Sequence, residues 1–334
     1  MPTTIAADQP VGWGILGAGG IATKFATDLV RSGTNVLSAV ASRSQARADA
    51  FAARFEAGAA YSDYRQLVTD PAVDVVYIAT THPQHRDQAL LAIEAGKAVL
   101  IEKPVCLNAA DARLVFEAAE SAGVFAMEAM WMRANPLIRT AQKLISDGVI
   151  GEVRSVQAEF GLGLAYDPAH RLYDLANGGG ALLDLGIYPA TFAWIFLGKP
   201  DDVTFRGTVS PSGADETVAM QWAYPDRRDA QLWCSTSMMA PNRGLIIGEH
   251  GWIRTEGRFH RPDGLTVTNR DGQVTVDDPL PADLPGYGPE IDEVERCLRA
   301  GALSSPLVPP AETLQILQVL DDVRAGLGVS YPGE

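Results

Sequence analysis

Cysteine is scarce in this chain. Cys106, Cys234 and Cys297 are spread over 334 residues, an odd number at wide spacings that fits neither a disulfide framework nor a zinc site. They read as buried thiols in a reducing cytoplasm. Five histidines include one local pair, His82 and His85. No carboxylate or thiol accompanies them at ligand spacing, so no metal is expected. No apolar stretch is read as reaching the roughly 18 residues of a membrane span. Met1 to Pro10 has no basic segment leading into an apolar one, which speaks against a secretory signal. Positive charge is also in deficit: 27 Lys and Arg stand against 41 Asp and Glu, a net charge of −14. That balance argues against nucleic acid and anionic membranes as partners, while leaving room for a local basic pocket.

What the chain does have is length and order. Its 334 residues suffice for two domains, placed here at residues 10–130 and 131–334. Val11 to Leu16 predicts a short buried strand that runs into Gly17-Ala18-Gly19-Gly20-Ile21-Ala22, the G-x-G-x-x-A form of a dinucleotide fingerprint. Gly17 permits the tight turn, Gly19 lets the backbone approach a pyrophosphate, and Ala22 lets helix pack on strand. The helix opening near Ile21 turns its first amides toward phosphate. A second strand at Val36 to Ala41 completes the context. Strands and helices then alternate to Glu128, which implies a parallel sheet with right-handed crossovers. Thr80-Thr81-His82-Pro83 becomes a loop at the rim that bears the glycine turn.

The cofactor preference is read at the end of the second strand. An NAD site usually places an acid there to hold the ribose hydroxyls. Here stand Ala41-Ser42-Arg43-Ser44, with Arg47 one helical turn beyond. A serine hydroxyl and two guanidinium forks suit a 2′-phosphate. NADP is therefore expected, with NAD possible.

Lys103 is the residue with the most to explain. It follows the apolar run Ala98 to Ile101 inside Glu102-Lys103-Pro104, where a buried parallel strand ends at the ligand-binding rim. Downstream the pattern changes to short alternating strands: Val153 to Leu162, Val203 to Val209, Glu216 to Ala223, Asp229 to Met238, Gly244 to Ile247 and Gly251 to Glu256. These predict an open antiparallel sheet. Between the first two lies Gly178-Gly179-Gly180-Ala181-Leu182-Leu183-Asp184-Leu185-Gly186-Ile187-Tyr188-Pro189. Asp184 and Tyr188 are four apart, so a regular helix would turn both to one side, and Pro189 should distort it.

The glycine turn, Glu102-Lys103-Pro104 and the segment Gly178 to Tyr188, in this order and spacing, resemble the Gfo/Idh/MocA oxidoreductases over nearly the whole chain. Glu128-Ala129-Met130-Trp131-Met132-Arg133, with Glu312-Thr313-Leu314 and Leu320-Asp321, is similar to the branch that holds dihydrodiol and D-xylose dehydrogenases and glucose-fructose oxidoreductase. The resemblance implies an α/β protein: an N-terminal Rossmann domain with a parallel sheet and a C-terminal α/β domain with a large open, mostly antiparallel sheet. That second sheet commonly makes the contact of a homodimer or homotetramer. The resemblance also implies a nicotinamide cofactor and a sugar, polyol or cyclic diol as substrate. By carry-over Lys103, Tyr188 and Asp184 are catalytic. Gly17, Ala18, Gly19, Gly20, Ile21, Ser42, Arg43, Arg47, Thr80, His82, Glu102 and Lys103 bind cofactor, and Trp131, Arg133, Phe160 and Tyr287 wall the substrate pocket.

Oxidising a secondary alcohol needs a hydride acceptor held against carbon and a base beside the hydroxyl. Tyr188 is the expected base. A free phenol titrates at about 10, and a nearby lysine ammonium favours the phenolate. Lys103 can also hydrogen-bond the oxygen as negative charge grows on it. The reverse division, with Lys103 as proton donor and Tyr188 positioning, fits the same residues. Two other classes share this fold: a dinucleotide-binding sensor without turnover, expected to have lost Lys103 or Tyr188, and a glycosidase that retains its NAD and returns the hydride.

Overall fold

The computed structural model describes residues 5–6, 9–31, 33, 35–270, 272, 274–277 and 286–334. It divides into two compact units, Met1–Trp131 with Pro285–Leu314, and Met132–Leu284 with Gln315–Glu334. The first therefore contains a return of the chain that the strand–helix alternation does not announce.

In the first unit six strands, β1 (Val11–Leu16), β2 (Asn35–Ala41), β3 (Ala59–Tyr61), β4 (Val75–Ile78), β5 (Ala98–Glu102) and β6 (Ala126–Ala129), form one sheet in the order β3-β2-β1-β4-β5-β6. Every neighbouring pair is parallel. All residues of β1, β4, β5 and β6 are buried, as a sheet covered on both faces requires. The order reverses between β1 and β4, the switch point at which such sheets bind ligands beyond the carboxyl ends of their strands. Helix boundaries follow ordinary local chemistry. Asp63 and Asn108 cap Tyr64–Thr69 and Ala109–Ala122 through amides at 2.9 and 2.8 Å, and Gly96 ends the helix His85–Glu94 at φ +75°. The returning helix Gly288–Arg299 packs on Gly20–Arg31.

Among its described residues the second unit holds eight strands, β7 (Val153–Gly161), β8 (Asp202–Val209), β9 (Asp215–Tyr224), β10 (Arg228–Ser235), β11 (Gly244–Gly248), β12 (Gly251–Arg258), β13 (Arg261–Asn269) and β14 (Val274–Asp277). Their order is β14-β13-β12-β11-β7-β10-β9-β8. All contacts are antiparallel except the parallel pair β7/β10. The sheet is longer than the sequence pattern predicts, because β13 and β14 escape it. The strand expected to reach Met238 ends at Ser235.

The helix Ile187–Leu197 packs against β7 and β10, with Phe192 edge-on to Phe259 at 5.3 Å and Trp194 edge-on to Trp222 at 6.4 Å. Leu175–Leu197 is, against the sequence reading, long and apolar enough for a membrane span by length and composition. Yet 89% of its most apolar window is buried inside the protein, which marks a core helix. Its start also departs from the regular helix assumed for Asp184 and Tyr188. Leu182–Gly186 forms a π turn, so a four-residue spacing no longer closes one turn. The wide turn lies directly before Pro189, whose ring would otherwise press on the carbonyl four residues back.

Candidate active site

The glycine turn sits at the carboxyl end of β1. The Gly17 amide donates to the Ala41 carbonyl at 2.9 Å. Its φ is +99°, and a Cβ there would lie 2.8 Å from the Ala79 carbonyl oxygen, so only glycine lets the turn pass so close to the end of β4. At Gly19 and Gly20 a Cβ would meet nothing within 4 Å. Open space thus stands before the first amides of Gly20–Arg31, with room for a pyrophosphate to approach a helix N-terminus. Ala18 turns its carbonyl to Arg47 Nη2 at 3.1 Å, and Ile21 lies in the first turn of that helix.

Beyond β2, Ser42 is buried and its amide donates to Tyr61 at 3.1 Å. Arg43 and Arg47 are exposed. Burial raises the Tyr64 phenol above its ordinary range, while the Arg43 and Arg47 guanidiniums oppose the shift.

The loop after β4 and the turn after β5 are joined by one imidazole. His85 is fully buried, with Nδ1 2.9 Å from the Pro104 carbonyl and Nε2 3.3 Å from the Thr80 carbonyl. Burial, reinforced by His82, pushes it down to about 3, so it is neutral. Thr80 Oγ1 donates to Gln88 at 2.8 Å, and His82, also buried, lies edge-on to His85 at 5.7 Å. Lys103 is half-buried and joined to Pro104 by a cis peptide.

Beneath it the Glu102 carboxylate accepts from the Lys103 amide at 3.1 Å and from the Tyr77 hydroxyl. Glu128 accepts from the Val105 amide and from Thr313 Oγ1, each at 3.1 Å. A third carboxyl, Glu290, is buried, and neither of its oxygens has a hydrogen-bond partner among the described residues. Burial, with Glu102 and Glu128 nearby, raises it well above the carboxylate range. Trp131 stacks on Tyr287 at 5.1 Å, and the Tyr287 amide donates to Asp28 at 3.0 Å.

The other expected residues belong to the second unit. Asp184 is buried and takes both guanidinium nitrogens of Arg171, the nearest contact 3.0 Å. Tyr188 is 6% exposed. Its ring lies 5.6 Å from Phe160 and 5.0 Å from His260, and Phe160 stacks on His260 at 4.4 Å. Arg133 ends the short helix Trp131–Ala134. Sequence reading named neither His260 nor Arg171. His260 lies in the two-residue turn between β12 and β13, with no sequence spacing to Tyr188, and Arg171 is one of many arginines; only the fold gives them partners. The three cysteines are free and buried. Burial raises all three thiols, Cys297 to about 11, so none is poised as a nucleophile.

A parallel sheet with a glycine turn and open helix N-terminus at its switch point is a dinucleotide site, and sequence comparison agrees. The model of the oxidoreductase family with an NAD-binding Rossmann fold matches residues 11–130. That of the GFO/IDH/MocA C-terminal domain matches residues 138–254. The chain belongs to the Gfo/Idh/MocA oxidoreductase family. Among relatives it is 37% identical to trans-1,2-dihydrobenzene-1,2-diol dehydrogenase of Mus musculus, over 96% of this chain and 98% of that protein. KijD10, a 3-ketoreductase from Actinomadura kijaniata solved with NADP and TDP-benzene, is 26% identical with a TM-score of 0.83, covering 95% of this chain and 98% of that one. An aldose-aldose oxidoreductase from Caulobacter crescentus, 24% identical, shares the fold at a TM-score of 0.87 over 96% and 98% of the two chains. As a member of this family the chain is an NAD(P)-binding oxidoreductase.

Proposed function

We propose that this chain is an NADP-dependent dehydrogenase acting on a secondary alcohol of a cyclic diol, sugar or polyol, with Lys103 and Tyr188 as its polar catalytic pair. The observation that carries this reading is Lys103 itself. It is half-buried at the carboxyl end of β5, on the same sheet edge as the open glycine turn. A cation held there suits the oxygen on which negative charge develops. Similarity to a dihydrodiol dehydrogenase and a 3-ketoreductase supports a ring carbinol or ketone as the reacting group.

Gly19, Gly20 and the first amides of Gly20–Arg31 would hold the pyrophosphate, Ser42, Arg43 and Arg47 the 2′-phosphate, and Thr80, His82 and Glu102 the nicotinamide side. When bound, the nicotinamide supplies the two-electron acceptor or donor. The protein moves the proton. Tyr188 takes it from the alcohol oxygen, and Lys103 stabilises the oxygen that becomes a carbonyl. One alcohol and one NADP⁺ then give one carbonyl, one NADPH and one proton. Asp184, held by Arg171, orients the hydroxyl. Trp131, Tyr287, Arg133 and Phe160 present ring faces and a cation to the substrate. Self-association as a homodimer or homotetramer through the eight-stranded sheet, where Trp252 of β12 is 42% exposed, and a cytoplasmic setting belong to the same reading.

The test is a panel of trans-1,2-dihydrobenzene-1,2-diol, D-xylose, D-glucose and xylitol with NADP and with NAD, followed by the absorbance of reduced nicotinamide. Reduction by at least one compound, faster with NADP, is expected. No reduction across the panel overturns the proposal.

A further inference from the structure

The segment that carries Asp184 and Tyr188 has no side-chain cap of its own at the π turn. Its first turn is closed from a distance of 33 residues in sequence by Asp215, at the start of β9. The Asp215 carboxylate is fully buried and accepts from the Leu182 amide at 2.5 Å. The amides of Ala181 and of Asp215 itself also face it. Oδ1 receives no hydrogen bond of regular geometry among the described residues.

Gly180 makes the approach possible: its φ is +135°, and a Cβ there would sit 2.3 Å from Asp215 Oδ1. At the other end of the π turn, a Cβ on Gly186 would lie 3.0 Å from Cys234 Sγ, so the turn is seated on β10 as well. Burying a carboxylate is costly unless its hydrogen bonds recover the loss. Here the bonds it makes go to the start of the segment bearing the two candidate catalytic side chains.

We propose that Asp215 is a positioning residue: through Leu182 it fixes where the π turn begins and hence where Asp184 and Tyr188 stand. This rests on the reading of Tyr188 as a proton-transfer group. Gly180 is its steric complement, since any larger residue at 180 would push the carboxylate off Leu182.

The experiment compares Tyr188→Phe, Asp215→Ala, Asp215→Asn, Gly180→Ala and the double variant Gly180→Ala/Asp215→Ala in the full chain. Each is assayed with NADP and the panel compound that the wild type oxidises fastest, and for NADPH binding by fluorescence. Asp215→Ala is expected to lower kcat on the order of 10- to 100-fold, the cost of a displaced catalytic group, with NADPH affinity within about twofold. Asp215→Asn keeps an acceptor for Leu182 and recovers most of that loss, which a merely structural role would not require. Gly180→Ala also lowers kcat, and costs less when Asp215 is already alanine.

Wild-type kcat in Asp215→Ala, or an Asn variant as slow as the Ala one, overturns the positioning role. If Asp215→Ala does not fold, Asp215→Asn and Gly180→Ala decide: full turnover in Gly180→Ala overturns it. Full turnover in Tyr188→Phe overturns the reading of Tyr188 and the positioning role with it. Loss in Tyr188→Phe beside full turnover in Asp215→Ala overturns the positioning role alone.

Discussion

The Nδ1 atom of His85 lies 2.9 Å from the carbonyl oxygen of Pro104, the residue after Lys103. Because Nε2 of the same ring lies 3.3 Å from the Thr80 carbonyl, one buried side chain spans the ends of two neighbouring strands. Both partners are acceptors, and a neutral imidazole donates to only one of them. Burial nevertheless keeps the ring neutral, at about 3.

His85 predicts an acid sensitivity. A histidine whose folded value lies below its unfolded one leaves the unfolded chain with more bound protons, so stability falls as pH drops below about 6.5. From pH 6.5 to pH 5 this contribution is about 2 kcal/mol. Urea unfolding of the wild type and His85→Asn at both values checks it. An identical pH dependence in the two proteins would remove His85 as the cause.

Lys103→Met preserves bulk and deletes the charge. Turnover is expected to fall on the order of 10³-fold, with NADPH affinity within about threefold. Turnover near wild type would dismiss Lys103 from the chemistry.

Arg43→Ala should weaken NADP by roughly 10- to 100-fold, the range for a charge-assisted hydrogen bond to phosphate, and leave NAD nearly unchanged. Titration of both cofactors by fluorescence measures it. Equal losses would mean that Arg43 serves the helix start rather than the 2′-phosphate.

Asp215 predicts the opposite pH dependence from His85. Burial raises its carboxyl to about 6, opposed by the Leu182 amide and by Arg324; Tyr331 and Cys234 also face it, both pushed up by burial and therefore neutral. A raised carboxyl leaves the folded chain with more bound protons, so its contribution favours the fold at low pH and is lost as pH rises from about 4 to about 7. Relative to Asp215→Asn, the wild type should lose about 2 kcal/mol over that range. Parallel stability curves would mean the carboxyl is not desolvated in solution.

The parallel sheet was legible because strands buried on both faces are continuous apolar runs, as in Val75–Ile78 and Ala98–Glu102. The far edge of the second sheet was not. Strand β13 begins Arg261-Pro262-Asp263-Gly264, residues typical of turns, and its pairing with β12 shifts register at Glu256/Gly257, where Gly257 stands opposite Pro262. Rim residues such as Lys103 and Gly17 were visible from the strand before them. His260 beside Tyr188 and Asp215 beneath Leu182 were not, since each acts on a partner far away in sequence. The π turn escaped for a related reason: its cause, Pro189, was seen, but the remedy depends on packing.

The return of the chain through Pro285–Leu314 into the first unit bears on how this protein can be divided. A fragment ending at Trp131 would hold the whole six-stranded sheet and every glycine of the turn. It would lack Tyr287, the ring on which Trp131 stacks and the amide that Asp28 accepts, together with the helix that covers Gly20–Arg31. The dinucleotide-binding half is thus not a detachable N-terminal module. Transplanting it into another protein means carrying two separate stretches of sequence and rejoining them.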